Sequence, residues 1–406
     1  MEKKKNTPKL RFPEFTGEWE EKKICDVSSY VDYRGKTPSK SDSGVFLVTA
    51  KNIKQGYIDY DISKEYIPNE IYEDAMRRGK PKLGDVLITT EAPLGNVASI
   101  DKENIALAQR VIKLRGKNGL MQNLFLKHRL ISPQFQNEID KKGTGTTAKG
   151  IKGSELHQIV ISFPICSEQT KIATFLTAVD EKLTQLKKKK TLLEQYKKGV
   201  MQKLFSQELR FKDDNNQDFP DWQEKTLGEL TYKVDKKNKE NIQYPIYSIN
   251  NINGFIPQSD QFDGMDSNKR GYDISLYKII ERNTFAYNPA RINVGSLGYS
   301  GNLHDIIISS LYVCFKTVED VYDNYLLQYF TTKQFIKAVL TNVEGGVREY
   351  LFYENFSRID LSLPSLPEQV KIANFLSAID EKISHCSAQI EKMEAWKKGL
   401  LQQMFC

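Results

Sequence analysis

Glu168-Gln169-Thr170-Lys171-Ile172-Ala173-Thr174-Phe175-Leu176 returns two hundred residues later as Glu368-Gln369-Val370-Lys371-Ile372-Ala373-Asn374-Phe375-Leu376. The echo runs on through Asp180-Glu181-Lys182 and Asp380-Glu381-Lys382, then Lys197-Lys198-Gly199 and Lys397-Lys398-Gly399. Gln202 and Phe205 come back as Gln402 and Phe405. Solenoid units run to about 20–50 residues, so a period this long marks a duplicated domain-plus-helix instead.

Each repeat reads as a long helix. The first starts near Ser167 as N-cap, with Glu168 in the first turn where the helix dipole favours an anion. The apolar positions are Ile172, Phe175, Leu176, Val179, Leu183, Leu186, Leu193, Tyr196, Val200 and Leu204. The second starts at Pro367-Glu368, with proline at the first helical position. It follows with Ile372, Phe375, Leu376, Ile379, Ile383, Cys386, Ile390, Met393, Trp396, Leu400 and Met404. These near-heptad stripes predict helices about 55–60 Å long, at about 1.5 Å per residue. A stripe of that length needs a partner, and each helix is the other's simplest one. Only a short segment, 206–222, leads from the first helix into the next globular part. That favours an antiparallel coiled coil with a pseudo-twofold axis over a parallel pair. Docking of each helix on another protein is the alternative.

The globular parts share a fainter skeleton. Leu10-Arg11-Phe12 and Trp19 correspond to Leu209-Arg210-Phe211 and Trp222. Leu126, Gln134, Phe135, Gly145 and Ile159 correspond to Leu326, Gln334, Phe335, Gly345 and Ile359. Between them, residues 28–120 and 231–320 share little beyond short strand-like runs such as Val45–Thr49, Val86–Thr89 and Ile306–Ile308. The expected class is α/β (α+β): a globular domain over 1–166, a helix over 167–206, a second domain over 207–366 and a second helix over 367–406. One scaffold carrying two different surfaces suits holding two similar, non-identical things at a fixed separation.

Composition narrows the chemistry. The 406 residues carry a formal charge of +7 and five scattered cysteines, which read as reduced thiols rather than a disulfide frame. No apolar run is long enough to span a membrane. Met1-Glu2-Lys3-Lys4-Lys5 lacks a signal-peptide core, so the cytoplasm is the expected compartment. Four histidines, His128, His157, His304 and His385, form no metal-binding pattern. Gly35-Lys36-Thr37 resembles the end of a phosphate loop, but Tyr30 stands where its first glycine belongs. Asn288-Pro289-Ala290-Arg291 lacks the second proline and the aromatic of the adenine-methyltransferase motif. The expectation is a non-catalytic chain with no cofactor or metal of its own.

The duplicated Glu-Gln-x-Lys-Ile-Ala-x-Phe-Leu helix start, with its Lys-Lys-Gly helix end, resembles the specificity subunit of type I restriction–modification systems. Gly84-Asp85-Val86-Leu87-Ile88-Thr89-Thr90 and Ala108-Gln109-Arg110-Val111-Ile112 add to the resemblance, which covers essentially the whole chain. It implies two target recognition domains, each reading one half of a bipartite double-stranded DNA sequence, with the helices setting the gap. It also implies two modification (methyltransferase) subunits docked on the helices and using S-adenosylmethionine. Restriction (translocase/nuclease) subunits would use ATP and Mg2+. A coiled-coil tether joining two protein-binding modules is the competing reading.

Base readout calls for Arg or Lys toward guanine and Asn or Gln toward adenine, and backbone clamping for Lys, Arg, Ser and Thr. In the first domain the DNA-binding candidates are Arg34, Lys36, Thr37, Lys51, Asn52, Thr146, Thr147 and Lys149. In the second they are Asn250, Asn251, Arg291, Asn293, Ser296 and Arg348. For each, a solvated loop side chain is the plain alternative. Tyr33, Tyr287 and Tyr299 read either as stacking platforms or as core. Lys187-Lys188-Lys189-Lys190 reads as a solvated helix face or as a contact across the DNA gap.

Overall fold

The computed structural model describes residues 6–35, 38–145, 149–261, 264–345 and 349–406. It divides into two compact units, Met1–Lys189 with Cys386–Cys406, and Lys190–His385. Both share most of their elements in the same order.

In the first unit Glu20–Lys23 pairs antiparallel with Val160–Phe163. A four-stranded antiparallel sheet has the order Ser28–Asp32, Val111–Gly116, Val86–Thr90, Leu94–Ser99. A smaller sheet places Tyr66–Ile67 beside Val45–Val48, which runs parallel to Ile105–Leu107. Helices Asn123–Ile131, Pro133–Lys142 and Gly153–His157 complete it. The second unit follows the same plan, with a fourth strand, Lys278–Ile280, added to its smaller sheet. Gln223–Thr226 pairs with Asp360–Leu363, and the main sheet is Thr231–Val234, Val313–Thr317, Phe285–Tyr287, Leu297–Tyr299. Its second sheet again has a parallel pair, Ile246–Asn250 with Ile306–Ile308. The regions that share little sequence therefore share a topology, because burial of the central strands constrains only residue class.

The long helices span Cys166–Phe205 and Leu366–Gln403. The first helical bonds run from the Gln169 amide to the Ile165 carbonyl and from the Gln369 amide to the Ser365 carbonyl, each 3.0 Å. Ser167 is thus inside the first turn rather than its cap, and Pro367 is at the second helical position. Only Pro164-Ile165 and Pro364-Ser365 separate each helix from the preceding strand, and the helices start two residues and one residue earlier than the sequence places them.

The repeated motif is a latch. Buried Glu168 accepts two bonds from Arg11, at 2.8 and 2.7 Å. Buried Glu368 holds Arg210 at 2.8 Å and the Trp222 indole N–H at 3.0 Å. Gln169 accepts from the Gln122 amide and donates to the Leu120 and Pro164 carbonyls. Gln369 makes the same three bonds to Tyr322, Asp320 and Pro364. Phe12 packs edge-on against Phe175, and Phe211 against Phe375. The Leu-Arg-Phe and Glu-Gln motifs are two halves of one joint.

Both long helices contribute to each unit. In the first, Ile172, Leu176 and Val179 share a core with Leu400, Leu401, Met404 and Phe405. Lys397 reaches Asp180 at 2.6 Å, Lys187 reaches Glu394 at 2.6 Å, and the Cys386 thiol donates to the Leu186 carbonyl at 3.3 Å. Partner numbers fall as the first helix advances, so these segments are antiparallel. In the second unit Ile372, Leu376 and Ile379 pack with Leu204 and Phe205, and Lys197 reaches Asp380 at 2.7 Å. Tyr196 and Trp396, expected in the apolar stripes, are about half exposed. A helix of 3.6 residues per turn drifts off a 3.5-residue seam. No helix among the described residues is long and apolar enough to cross a membrane.

Candidate nucleic-acid interface

In the first unit one end of the main sheet gathers several cationic side chains. Asp32 faces Ile112, Thr89 faces Val111, and Thr90 faces Leu94, so the segments beyond these residues share an edge. The segment between Thr144 and Gly150 is pinned at its base by reciprocal 2.9 Å amide–carbonyl bonds. It is tied to the sheet by the Ile151 amide on the Thr90 carbonyl at 2.9 Å. Exposed Lys149 pairs with Asp140 at 2.7 Å. Two residues past the segment, Ile151 leads to Gly153, where an added Cβ would lie 2.7 Å from Nη2 of Arg34. The Asp32 carboxylate lies equally close, so the Asp32–Arg34 pair packs directly on this glycine. Arg34 also holds Asp32 at 2.7 Å. Arg78 donates to the Asp32 and Arg34 carbonyls at 3.0 and 2.9 Å. Arg110, in the left-handed region at φ 71°, pairs with Glu91 at 3.3 Å.

Lys51 is exposed on a separate loop. That loop docks on Leu94–Ser99 through the Gly56 amide on the Val97 carbonyl at 2.7 Å. Asn52 is different from expectation. It is fully buried, accepts from the Thr49 amide and hydroxyl, and donates to the Asp59 and Ser63 carbonyls. Its amide is saturated and shapes the loop, which leaves it nothing to offer a base.

The second unit repeats the arrangement with other residues. The segment between Glu344 and Tyr350 is closed by reciprocal bonds of 2.9 and 2.8 Å, and the Leu351 amide bonds the Pro289 carbonyl at 3.0 Å. Pro289 opens the loop carrying Arg291 and Asn293, of which Arg291 is exposed. Ser296 is buried and donates to the Ile249 carbonyl at 3.1 Å, which makes it a tie rather than a contact. It draws the Arg291 loop against the turn holding Asn250 and Asn251. Asn250 accepts from the amides of Ile252 and Asn253 at 3.0 and 2.6 Å, and Asn251 is exposed. The structure thus brings Asn250, Asn251, Arg291 and Asn293 to one end of the unit. Lys36, Thr37, Thr146, Thr147 and Arg348 lie outside the described residues.

The three tyrosines belong to the framework. Tyr33 and Tyr287 are buried, and Tyr299 donates to Asp323 at 2.6 Å. Burial pushes the hydroxyls of all three above their usual range. Asp85, of the Gly84-Asp85 motif, is buried and holds Arg115 at 2.6 Å and Lys113 at 3.5 Å. Desolvation lowers the Lys113 ammonium from its ordinary value despite that carboxylate. Lys187 is paired with Glu394, so part of the four-lysine run serves the helix pair.

Sequence reasoning passed over Arg78 and Arg110. The Met76-Arg77-Arg78-Gly79 run carried a signal for the first, and the Ala108-Gln109-Arg110-Val111-Ile112 motif held the second without marking it as a contact. A further basic cleft in the second unit holds Lys236, Lys237, Lys239, Arg282 and Lys316. Glu281 bridges Lys236 and Lys316 there, at 3.0 Å each. Among the described residues no group of three or more His, Cys, Asp or Glu is placed to hold a metal. The arrangement offers guanidinium, ammonium and amide groups from loops on rigid sheets, which is the chemistry of recognition.

The family model for the type I restriction modification DNA specificity domain matches residues 16–195 and again 220–395. The type I restriction enzyme MjaIX specificity subunit of Methanocaldococcus jannaschii is 23% identical, over 95% of this chain and 92% of its own. The MjaVIII specificity subunit of the same organism is 24% identical over 97% of this chain and 92% of its own. A crystal structure of the type I restriction-modification S subunit from M. genitalium has a TM-score of 0.61 at 17% identity. It covers 98% of this chain and 99% of that one.

Proposed function

Because the chain belongs to the type I restriction-modification DNA specificity family, we propose that it is the sequence-reading subunit of such a complex. Each unit reads one half of a bipartite duplex target, and the long helices set the unread gap. The observation that carries this reading is the repetition of one scaffold under two unlike loop sets. Arg34, Arg110 and Lys149 stand at a sheet end of the first unit, and Asn251, Arg291 and Asn293 at the corresponding end of the second. Two different half-sites call for that pattern: backbone geometry constant, base-contacting side chains changed.

The chain itself performs no chemistry in this reading. Methyl transfer to adenine from S-adenosylmethionine belongs to two modification subunits docked on the helices. ATP- and Mg2+-dependent translocation and cleavage belong to restriction subunits. The compartment is the cytoplasm, where the DNA is. Adenine methylation mapped genome-wide, in a methylation-free host expressing this chain with its modification subunit, tests the proposal. One bipartite motif with a fixed gap, absent without this chain, is the expected result. No motif from an assembled, active complex supports the tether of two protein-binding modules instead.

A further inference from the structure

The two most exposed large hydrophobic side chains among the described residues are Ile252, at 84%, and Leu311, at 79%. Both stand at the end of the second unit that carries Arg291. Leu311 lies on the turn into Val313–Thr317, whose Val313 pairs with Tyr287 just before the Arg291 loop. Ile252 tops the turn between Ile246–Asn250 and Gly254–Pro257. Across that turn, an added Cβ on Gly295 would meet the Asn251 carbonyl at 3.7 Å, and the neighbouring Val294 is also exposed. Isolated exposed aliphatics are ordinary on a protein surface, but a group of them at a binding end is not.

The turn presents Ile252 rigidly. The Asn250 side chain accepts from the Ile252 and Asn253 amides. Gly254 closes the turn with its ideal Cβ position 3.0 Å from the Gly298 Cα, and Ser296 ties its flank to the Ile249 carbonyl. A β-branched side chain has few rotamers to lose on contact. Asn251 and Asn253 flank it in the turn, and Asn293 sits on the loop that Ser296 ties against that turn, so amide donors and acceptors are at hand.

Aliphatic carbon beside asparagine amides matches one base pair in the major groove. Adenine offers N6 and N7 to an Asn amide, and its partner thymine offers a C5 methyl to an apolar side chain. On the functional reading given above, we infer that Ile252 reads an A·T pair in the second unit's half-site through the thymine methyl. The adjacent asparagines face the adenine.

Replacing thymine by deoxyuridine removes that methyl alone. The test uses the full chain assembled with its modification subunits and duplexes carrying the target mapped by methylation. Each thymine in both half-sites is replaced in turn, and binding is measured for the native chain and for Ile252→Ser. One position, in one half-site, should lose about fourfold in affinity with the native chain, as for one buried methyl group. The same replacement should cost Ile252→Ser nothing, while every replacement in the other half-site affects both chains equally. The inference is overturned by a complex that selects its bipartite target yet shows no deoxyuridine effect that depends on residue 252. A half-site pair in which no A·T pair is read also overturns it. A complex that selects no bipartite target overturns the functional reading as well.

Discussion

Glu368 is the most informative residue to remove. Its carboxylate is fully buried, and it holds the Arg210 guanidinium, whose side chain is 24% exposed, and the Trp222 indole N–H. The Arg210 pKa is raised, first by this hydrogen bond, as expected for a cation held by a charged partner. Glu368→Ala leaves the indole donor without its acceptor and takes the buried carboxylate from the Arg210 cation, which keeps only the Phe219 and Pro220 carbonyls and the more distant Asp221. Removing one member of a buried pair costs about 3–5 kcal/mol, and the orphaned indole falls within the same penalty because the two share one carboxylate. For a unit of roughly 200 residues, 1 kcal/mol moves Tm by about 2–4 °C, so the variant should melt about 6–20 °C lower. Calorimetry of the purified chain measures the shift. A double-mutant cycle with Arg210→Ala isolates the pair, with an expected coupling of at least about 2 kcal/mol. The target sequence mapped by methylation should stay the same at permissive temperature. A Tm within about 2 °C of native, or a coupling near zero, refutes the latch. A changed half-site would show that the repeated motif touches DNA.

Burial pushes the His128 imidazole down to about 3, with the Lys127 charge adding to it and Asp180 opposing. The unfolded chain takes up a proton below about 6.5 while the folded chain stays neutral, so stability is lost as pH falls from about 6.5 toward 3. Between pH 7 and pH 5 the loss should be about 2 kcal/mol. His128→Gln, which copies Gln328 of the second unit, should flatten the slope of urea midpoint against pH. Phe405 is buried against Trp19 and Phe125, so Phe405→Ala should cost the first unit about 3–5 kcal/mol, read as faster proteolysis within residues 6–189. Arg291→Ala should weaken specific binding by about 1–3 kcal/mol and relax one base position, measured by competition with single-base target variants. One heptad added to each long helix at matched positions lengthens it by about 10 Å and should widen the gap by about three base pairs, leaving both half-sites unchanged. Methylation mapping would show it.

The repeat, the two long helices and their antiparallel run were legible in the chain because helical periodicity and duplication are local signals. Glu168 and Gln169 were visible as a motif, but their partners Arg11 and Gln122 lie 157 and 47 residues away, and no spacing rule links them. The candidate loops were legible only as residue types. Asn52 and Asn251 look alike in sequence, yet one is saturated inside its own turn and the other is exposed.

By itself, then, the sequence determined that one scaffold occurs twice, most of the residues that face inward along each helix (Tyr196 and Trp396 excepted), and which loops differ between the copies. Those follow from side-chain polarity and period, properties a residue carries wherever it goes. Tertiary structure alone decided that the final residues, Leu400 to Phe405, complete the core of the unit that begins the chain. It also decided that Ser296 and Asn52 are ties, and that Arg110 and Ile252 stand exposed at sheet ends. These are matters of which groups are close in space, and burial and hydrogen-bond saturation exist only once distant segments have met.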